Sequence, residues 1–340
     1  MITQGIFYSI TISGLVAVGI SHLLILWFRL RRMGQVIRPE GPPSHYSKEG
    51  TPTMGGIAVL FGLAAVMLLR LTAGISPTLI LLFLGTAAYG MVGYGDDVMK
   101  MARRNSGGMS ARGKLLWQCF ISIALVWAIY RYGGFSMTSL YIPWFFQQPI
   151  DIGPVYYPLA VLYLMLLVNA VNLTDGLDGL AAGLGVIAAL AALIIAAAGL
   201  SVVPGIREGS EAIIGAGEIM HYSGALAGAL LGFLIFNRRP AKLFLGDTGS
   251  QAVGGALGIT ALLLRSEVLF LVIGGMFLLE AFSVILQVGS YKLRKKRIFN
   301  MAPLHHHYEL KGKHESAIVR AFWGIGLLCA SAGVLVILFG

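Results

Sequence analysis

Long apolar runs, each close to the length of a bilayer-crossing helix, are the feature of this sequence that most limits its fold. A transmembrane helix needs about 20 apolar residues. The runs are continuous rather than alternating, which favours helices over a β-barrel, and backbone exposed to lipid must satisfy its own hydrogen bonds. Ten spans follow, near residues 5–28, 54–72, 77–95, 114–132, 155–172, 180–199, 221–237, 250–265, 267–290 and 318–338.

The composition supports an integral membrane protein. Hydrophobic residues make up 57% of the chain and charged residues 12%, whereas soluble domains carry about 25% charged residues. The first span lacks a basic segment before it and a small-residue cleavage pattern, so we predict a retained helix rather than a signal peptide. We therefore predict a single integral membrane domain over residues 1–340, with an all-α polytopic fold.

The basic residues divide unequally between the two sets of loops, and this predicts the orientation. Four of the 25 Lys and Arg residues, Arg70, Arg131, Arg207 and Arg265, belong to one set. The positive-inside rule makes the other set cytoplasmic and leaves both termini outside. The net charge of +10 then reflects topology and contact with anionic lipids, not nucleic-acid binding. The remaining 21 lie at Arg320 and in loops 29–53, 96–114, 173–179, 238–249 and 291–317.

The first polar motif is "GYGDDVMK", in which Asp96 and Asp97 precede Lys100 by about one helical turn. Adjacent carboxylates repel each other and attract a cation. A carboxylate pair beside a lysine suits a phosphate bound with a divalent cation. The simpler alternative is a helix end with a salt bridge.

The second motif, "NAVNLTDGLDGLA", contains Asn172, Asp175 and Asp178 between two apolar runs. If the sixth helix begins near this point, the two carboxylates share one of its faces. Helix capping would explain one carboxylate, but it leaves Asn172 unexplained. Carboxylates near membrane depth are costly unless they serve a polar cavity, so the motif favours a ligand site.

A third motif, "FNRRPAKLFLGDTGS", supplies Asn237, Phe244 and Asp247. Gly246 and Gly249 predict a tight loop around Asp247. This loop opens a helix whose N-terminal amides can face an anion. The alternative is an ordinary basic cytoplasmic loop with a capping Asp.

Two further motifs lie on the predicted cytoplasmic side. "MAPLHHHYELKG" contains His305, His306 and His307, and "SKEGTPTMGG" contains Lys48 and Thr53. Histidine can hydrogen-bond phosphate and titrates near neutral pH. A zinc site has little support, because adjacent histidines cannot all face one ion. A solvated polar loop and a snorkelling lysine are the simpler alternatives.

Together and in this order, the five motifs resemble those of phospho-N-acetylmuramoyl-pentapeptide transferases (translocase I). This family is a branch of the polyprenyl-phosphate sugar-1-phosphate transferases. The resemblance implies ten transmembrane helices in the bacterial inner (cytoplasmic) membrane, both termini periplasmic and an active-site cleft on the cytoplasmic face. It also implies Mg²⁺ dependence and a homodimer. The implied reaction transfers phospho-MurNAc-pentapeptide from its UDP-linked donor to undecaprenyl phosphate, giving lipid I and UMP.

The resemblance also implies roles for individual residues. Asp247 matches the metal ligand, and it is grouped with Asp96, Asp97 and His305 as catalytic. The matching substrate-binding residues are Lys48, Thr53, Lys100, Lys114, Asn172, Asp175, Asp178, Asn237, Phe244, His306 and His307.

Several alternatives stay open at the level of sequence. The lipid phosphate attacks either directly or after formation of an aspartyl phosphate, and Asp97 either accepts a proton or aligns the lipid phosphate. One rival function uses UDP-N-acetylglucosamine as the donor. Another is an ion-coupled transporter. Transporter sites usually lie near the bilayer midplane, whereas the polar residues here cluster at one predicted membrane surface. Glu280, inside the predicted ninth span, is the exception. The aromatic stretch "SLYIPWFF" at 139–146 forms either a small hairpin or an interfacial belt.

Overall fold

The fold is almost entirely helical. The computed structural model describes residues 2–31, 34, 48–72, 74, 76–103, 107–132, 138–142, 149–198 and 215–339. The helices in this part of the chain are α1 (Ile2–Leu30), α2 (Gly56–Leu71), α3 (Pro77–Arg103), α4 (Ala111–Tyr132), α5 (Tyr156–Thr174), α6 (Leu180–Ala197), α7 (Ala216–Asn237), α8 (Gly246–Leu263), α9 (Glu267–Ile273), α10 (Gly275–Arg294), α11 (Leu304–Leu310) and α12 (Glu315–Phe339).

Eight of these helices are long and apolar enough to cross a membrane: α1, α3, α4, α5, α6, α7, α10 and α12. The chain is therefore a polytopic membrane protein, but the predicted count of ten spans is not confirmed. The predicted span 54–72 corresponds to α2, whose 16 residues extend only about 24 Å. The span 250–265 corresponds to α8, which begins with the polar sequence "GDTGSQ". The span 267–290 is interrupted at Gly274, between α9 and α10.

Helix α8 lies at the centre of the bundle. Every residue from Thr248 to Leu263 is buried, as expected for a helix covered by protein on all sides. It packs against α2, α3 and α5. Its central position matters because its first turn carries Asp247.

Helices α1 and α7 pack side by side and run parallel. Gly228 and Gly232 of α7 lie so close to α1 that added Cβ atoms would be 2.1 and 2.3 Å from the carbonyl oxygens of Ile10 and Gly14. Small residues spaced four apart allow this close backbone approach between membrane helices. The parallel direction agrees with the predicted topology, in which the first and seventh spans run the same way.

The structure changes the local picture of two motifs. Asp175 and Asp178 do not share a face of the sixth helix, so that prediction is wrong. Helix α5 ends at Thr174 and α6 begins at Leu180, and both carboxylates lie in the turn between them. The three histidines belong to the short helix α11 rather than to a solvated loop.

A small hairpin lies between α4 and α5. Strands β1 (Ser139–Leu140) and β2 (Ile150–Asp151) pair antiparallel, so the described part of the aromatic stretch begins in a hairpin. The Arg265 side chain donates a hydrogen bond to the Ser139 carbonyl and connects the hairpin to the end of α8. Residues 143–146 of that stretch, like Arg207, lie outside the described residues.

Candidate active site

Three carboxylates meet where the end of α3 packs against the start of α8. Oxygen atoms of Asp96, Asp97 and Asp247 all lie within 4.8 Å of one another. Gly93, one turn before Asp97, makes this approach possible, because a Cβ atom there would lie 2.0 Å from the Asp247 carbonyl oxygen. The backbone contact between the two helices thus places three negative charges together.

Two lysines partly neutralise this carboxylate cluster. Lys100 Nζ lies 2.6 Å from Asp96 Oδ2 and 3.1 Å from Asp247 Oδ2. Lys114 Nζ, from the first turn of α4, lies 2.6 Å from Asp247 Oδ2 and 3.3 Å from Asp96 Oδ2. Three carboxylates against two ammonium groups leave one net negative charge when all five are ionised. Both lysines are partly exposed, so incoming phosphates can reach them.

Asp97 caps helix α8 from a neighbouring helix. Its Oδ1 accepts the Asp247 backbone N–H at 3.2 Å, and its Oδ2 accepts the Thr248 N–H at 2.9 Å and the Thr248 hydroxyl at 2.7 Å. A carboxylate at this position satisfies otherwise unpaired amides and favours the helix dipole. The anion at the start of α8 is therefore supplied by the protein itself, and Asp97 fixes the backbone that carries Asp247.

Asn172, at the end of α5, completes the carboxylate cluster. Its amide donates to Asp247 Oδ1 at 3.1 Å and to Ser250 Oγ at 2.8 Å. The segment after it leads past Asp175, which is half-buried. Burial raises the pKa of the Asp175 carboxyl well above its usual range, and the negative charges of Asp247 and Asp97 raise it further.

The carboxylate cluster suits a hard divalent cation. Among the described residues, Asp96, Asp97 and Asp247 are the group of three close carboxylates able to hold a metal ion. Mg²⁺ prefers oxygen ligands and is usually bound through one or two carboxylates together with substrate phosphates. Both Asp97 oxygens accept hydrogen bonds from the first turn of α8, whereas Asp96 Oδ2 and Asp247 Oδ2 are held by lysine ammonium groups that an incoming phosphate can draw away. Asp96 and Asp247 are therefore the better candidate ligands.

A second charged cluster joins Lys48, Asp178, Arg239 and Glu315. Lys48 Nζ lies 2.7 Å from Asp178 Oδ1 and 2.6 Å from Glu315 Oε1, and Arg239 Nη1 lies 2.5 Å from Glu315 Oε2. The Asp178 N–H also donates to Glu315 Oε1 at 2.9 Å. Two cations and two anions make this cluster neutral, so Lys48 is already paired within the protein.

The loop from Asn237 to Phe244 is attached to this second charged cluster. Asn237 accepts the Gly179 N–H at 3.1 Å and donates to the Leu243 carbonyl at 2.9 Å. The Phe244 N–H donates to the Pro52 carbonyl at 2.8 Å. Phe244 is half-buried. Thr53 is buried beside Gly246, where an added Cβ atom would lie 2.9 Å from its hydroxyl oxygen. These contacts hold Phe244 and Thr53 beside the start of α8.

His305 is buried beneath the turn that carries Asp175 and Asp178. Its Nδ1 lies 3.3 Å from Glu280 Oε1. A Cβ atom on Gly176 would lie 2.2 Å from its Nε2. His305 is 1% exposed and Glu280 is 0% exposed. Glu280 is therefore the partner of this histidine, and the pair packs against the turn at Gly176.

His306 and His307 make local contacts in the same region. His306 Nδ1 lies 2.8 Å from Glu309 Oε2. His307 Nδ1 accepts the Asn300 N–H at 3.1 Å. These contacts fix the loop around α11, and they do not bring the two rings to the carboxylate cluster.

Nine of the fifteen predicted site residues thus occupy three adjoining groups connected by the segment 172–179. The carboxylate cluster holds Asp96, Asp97, Lys100, Lys114, Asn172 and Asp247. The second charged cluster holds Lys48 and Asp178, and His305 lies below the turn. Sequence reasoning missed Arg239 and Glu315, and it did not pair Glu280 with His305. Arg239 lies in a quoted motif, but nothing local distinguishes Glu315 from an ordinary acidic residue at a helix start.

Comparison with known proteins relates the chain to one family of transferases. Glycosyl transferase family 4 matches residues 79–265, and a phospho-N-acetylmuramoyl-pentapeptide-transferase signature matches residues 48–60. The chain is 43% identical over 332 residues to a phospho-N-acetylmuramoyl-pentapeptide-transferase of Heliobacterium modesticaldum, covering 98% of both chains. It is 44% identical over 336 residues to the protein of that name in Geobacillus kaustophilus, covering 97% of both.

Proposed function

This chain belongs to the phospho-N-acetylmuramoyl-pentapeptide-transferase family, and we propose that it makes lipid I for peptidoglycan synthesis. It transfers phospho-MurNAc-pentapeptide from the UDP-linked donor to undecaprenyl phosphate and releases UMP. The family match and the clustering of polar residues at helix ends favour this function over ion-coupled transport.

The contact between the carboxylate cluster and its two lysines is the observation that carries the proposal. Both substrates are anionic, so their mutual repulsion is a large part of the barrier. Lys100 and Lys114 are the groups that offset it, because each ammonium lies within 3.3 Å of two carboxylates and can pair instead with an incoming phosphate. Charges fixed in advance at the reacting centre stabilise the transition state most effectively.

The enzyme requires Mg²⁺ under this proposal, with Asp247 as a ligand and Asp96 beside it. A bound ion would supply positive charge to offset the negative charge that develops on the pyrophosphate and on the departing UMP. Asn172 orients the Asp247 carboxylate through its 3.1 Å hydrogen bond. Outer partners of this kind commonly tune metal binding.

The reaction is a direct in-line displacement. An oxygen of the lipid phosphate bonds to the β-phosphorus, and the bond from that phosphorus to the oxygen bridging to the α-phosphate breaks. UMP leaves with that oxygen. A phosphate monoester is largely ionised at neutral pH, so the nucleophile needs no strong base. Asp97 then acts through Asp247, because hydrogen bonds to the start of α8 occupy both of its oxygens.

The nucleotide lies toward the second charged cluster. Phe244 stacks on uracil, a contact that tolerates small adjustments of the base. Asp175, with its raised pKa, and Asp178 line the same turn, while Thr53 contributes a hydroxyl nearby. His305 positions the turn from beneath, with His306 and His307 holding its surrounding loop.

The membrane arrangement follows from the basic loops. The clusters face the cytoplasm of the bacterial inner membrane, where the soluble donor is available, and both termini lie on the periplasmic side. Helices α2 and α8 complete a ten-span topology within one domain. The enzyme acts as a homodimer surrounded by membrane lipids.

Donor selection tests the proposed substrate. Purified protein in detergent with undecaprenyl phosphate and Mg²⁺ is supplied with either UDP-MurNAc-pentapeptide or UDP-N-acetylglucosamine, and released UMP is measured. We expect UMP only from the muramoyl donor. Release from UDP-N-acetylglucosamine alone would replace this function with the rival one, and release from neither would reject both.

A further inference from the structure

Helix α4 carries a row of polar side chains that descends from the active site into the bundle. Lys114, Gln118 and Ser122 are spaced four apart and share one face of the helix. Lys114 binds Asp247, and the Ser122 hydroxyl lies 2.7 Å from the Tyr89 hydroxyl. The other side of α4 is apolar and exposed, as its 65% exposed Phe120 shows. The polar row therefore determines which face of α4 points inward.

The middle residue of this row belongs to a buried layer of three amides. Gln118 Nε2 donates to Gln251 Oε1 at 3.1 Å, and Asn169 Nδ2 donates to Gln118 Oε1 at 2.8 Å. Gln118 and Gln251 are both 0% exposed. We call Gln118, Asn169 and Gln251 the amide layer.

Each member of the amide layer lies about one turn from a residue of the carboxylate cluster. Gln118 follows Lys114 by four positions and Gln251 follows Asp247 by four. Asn169 precedes Asn172 by three. The same three helices, α4, α5 and α8, therefore contribute to both layers, and a shift of one helix in the lower layer moves its residue in the upper layer.

The energetics of the amide layer favour a role in register rather than in stability. Gln251 Nε2 is buried and has no hydrogen-bond partner among the described residues. An unsatisfied buried amide costs about 1–3 kcal/mol, and a partly satisfied polar network is less stable than an apolar core. Directional hydrogen bonds define the register of two helices more sharply than apolar packing does. A slip of one residue would translate α4 by about 1.5 Å and rotate it by about 100°, and so would break these bonds.

We propose that Gln118 and Gln251 are positioning residues that fix the register of α4 against α8 and so hold Lys114 on Asp247. The proposal rests on the transferase function above, in which Lys114 and Asp247 contact the reacting phosphates. It assigns a catalytic consequence to side chains buried one turn below the site.

The test uses the full-length protein with Gln118→Leu, Gln251→Leu and the double replacement, and Phe120→Leu as the control on the lipid side of α4. Three quantities are measured: the unfolding midpoint, the dissociation constant for Mn²⁺ by electron paramagnetic resonance, and kcat for UMP release. Activity of the unaltered protein is established first. Its absence would reject the transferase function rather than this inference.

The two roles of the amide layer predict different results. Gln118→Leu removes the donor to Gln251 Oε1 and one acceptor of the Asn169 amide. It should therefore lower the unfolding midpoint, weaken Mn²⁺ binding and lower kcat by about 10–100-fold, as for other outer-layer partners of metal sites. The double replacement removes the unsatisfied Gln251 amide altogether. Asn169 keeps a partner, because its amide still donates to the Met165 carbonyl at 2.8 Å. The double replacement should therefore recover the midpoint while kcat and Mn²⁺ affinity stay low.

Recovery of kcat and Mn²⁺ affinity together with the midpoint would overturn the proposal, because the amide layer would then serve stability alone. If the double replacement does not fold, Gln251→Met decides the question. This replacement leaves the Asn169–Gln118 bond in place, and it should lower kcat and Mn²⁺ affinity several-fold. Unchanged values would also overturn the proposal.

Discussion

Asp97→Asn separates a structural role for the carboxylate from a chemical one. Asp97 is 3% exposed and accepts three hydrogen bonds at 2.7–3.2 Å from the first turn of α8. An asparagine keeps one oxygen, which can continue to accept from Thr248. Its NH₂ group would then face the Asp247 N–H, donor against donor.

The magnitude follows from those contacts. A hydrogen bond to a charged group contributes about 1.5–3 kcal/mol, and one between neutral groups about 0.5–1.5 kcal/mol. Losing one bond and weakening two gives about 3–5 kcal/mol. Removing a negative charge beside Asp247 relieves repulsion, so we expect a net loss of about 2–4 kcal/mol in the free energy of unfolding.

Thermal unfolding in detergent measures this loss, with Asp151→Asn, which changes an exposed acid in the β1–β2 hairpin, as the control. For a chain of 340 residues, a loss of 2 kcal/mol corresponds to a fall of roughly 3 °C in the unfolding midpoint. We also expect weaker Mn²⁺ binding, because the backbone of Asp247 loses its anchor. A variant with the normal midpoint and normal Mn²⁺ affinity but no activity would refute the capping role and show that Asp97 acts in the chemistry itself.

Three further predictions follow from the same contacts. Phe244→Ala should raise the KM for the nucleotide donor about tenfold or more, because base stacking contributes about 1–3 kcal/mol, and should leave the acceptor KM unchanged; an unchanged donor KM contradicts the stack. Glu315→Gln breaks a buried ion pair, which typically costs about 3–5 kcal/mol, so it should lower the unfolding midpoint. It should also raise the donor KM more than the acceptor KM; equal effects on both would contradict a place for Glu315 beside the nucleotide. The pKa of Asp175 is raised in the folded protein, so ionising this carboxyl destabilises the fold. The wild type therefore loses stability as the pH rises above about 4, the pKa of the carboxyl in the unfolded chain. The midpoint of Asp175→Asn in chelator should therefore exceed that of the wild type by a gap that widens from pH 5 to pH 8, and a constant gap would contradict this.

Sequence predicted the composition of the carboxylate cluster better than its geometry. Asp96, Asp97, Lys100, Asn172 and Asp247 stand out because polar and charged groups are costly in an apolar chain. That Asp97 caps α8 could not be read from the sequence, since the cap comes from a residue 150 positions away. Capping rules describe residues next to a helix start, and here the capping residue belongs to another helix.

The remaining misses have related causes. Helix α8 lacks the apolar first turn of a typical span because that turn carries Asp247, so apolarity alone misjudges it. Asp175 and Asp178 lie in the turn between α5 and α6 rather than on one helix face, because α6 begins only at Leu180, where the predicted span 180–199 also begins. Glu315 and the amide layer are ordinary residues in sequence, and only their long-range partners reveal them.

Exchange of labelled UMP into the donor tests the central claim most directly. Purified protein is incubated with UDP-MurNAc-pentapeptide, undecaprenyl phosphate and Mg²⁺, and label entering the nucleotide sugar is followed for the wild type and for Asp247→Asn. The account predicts exchange that requires the lipid phosphate, stops when a chelator is added, and is lost in Asp247→Asn although that variant folds. Exchange that continues at the wild-type rate with chelator or in Asp247→Asn would contradict a metal-assisted transfer at this cluster.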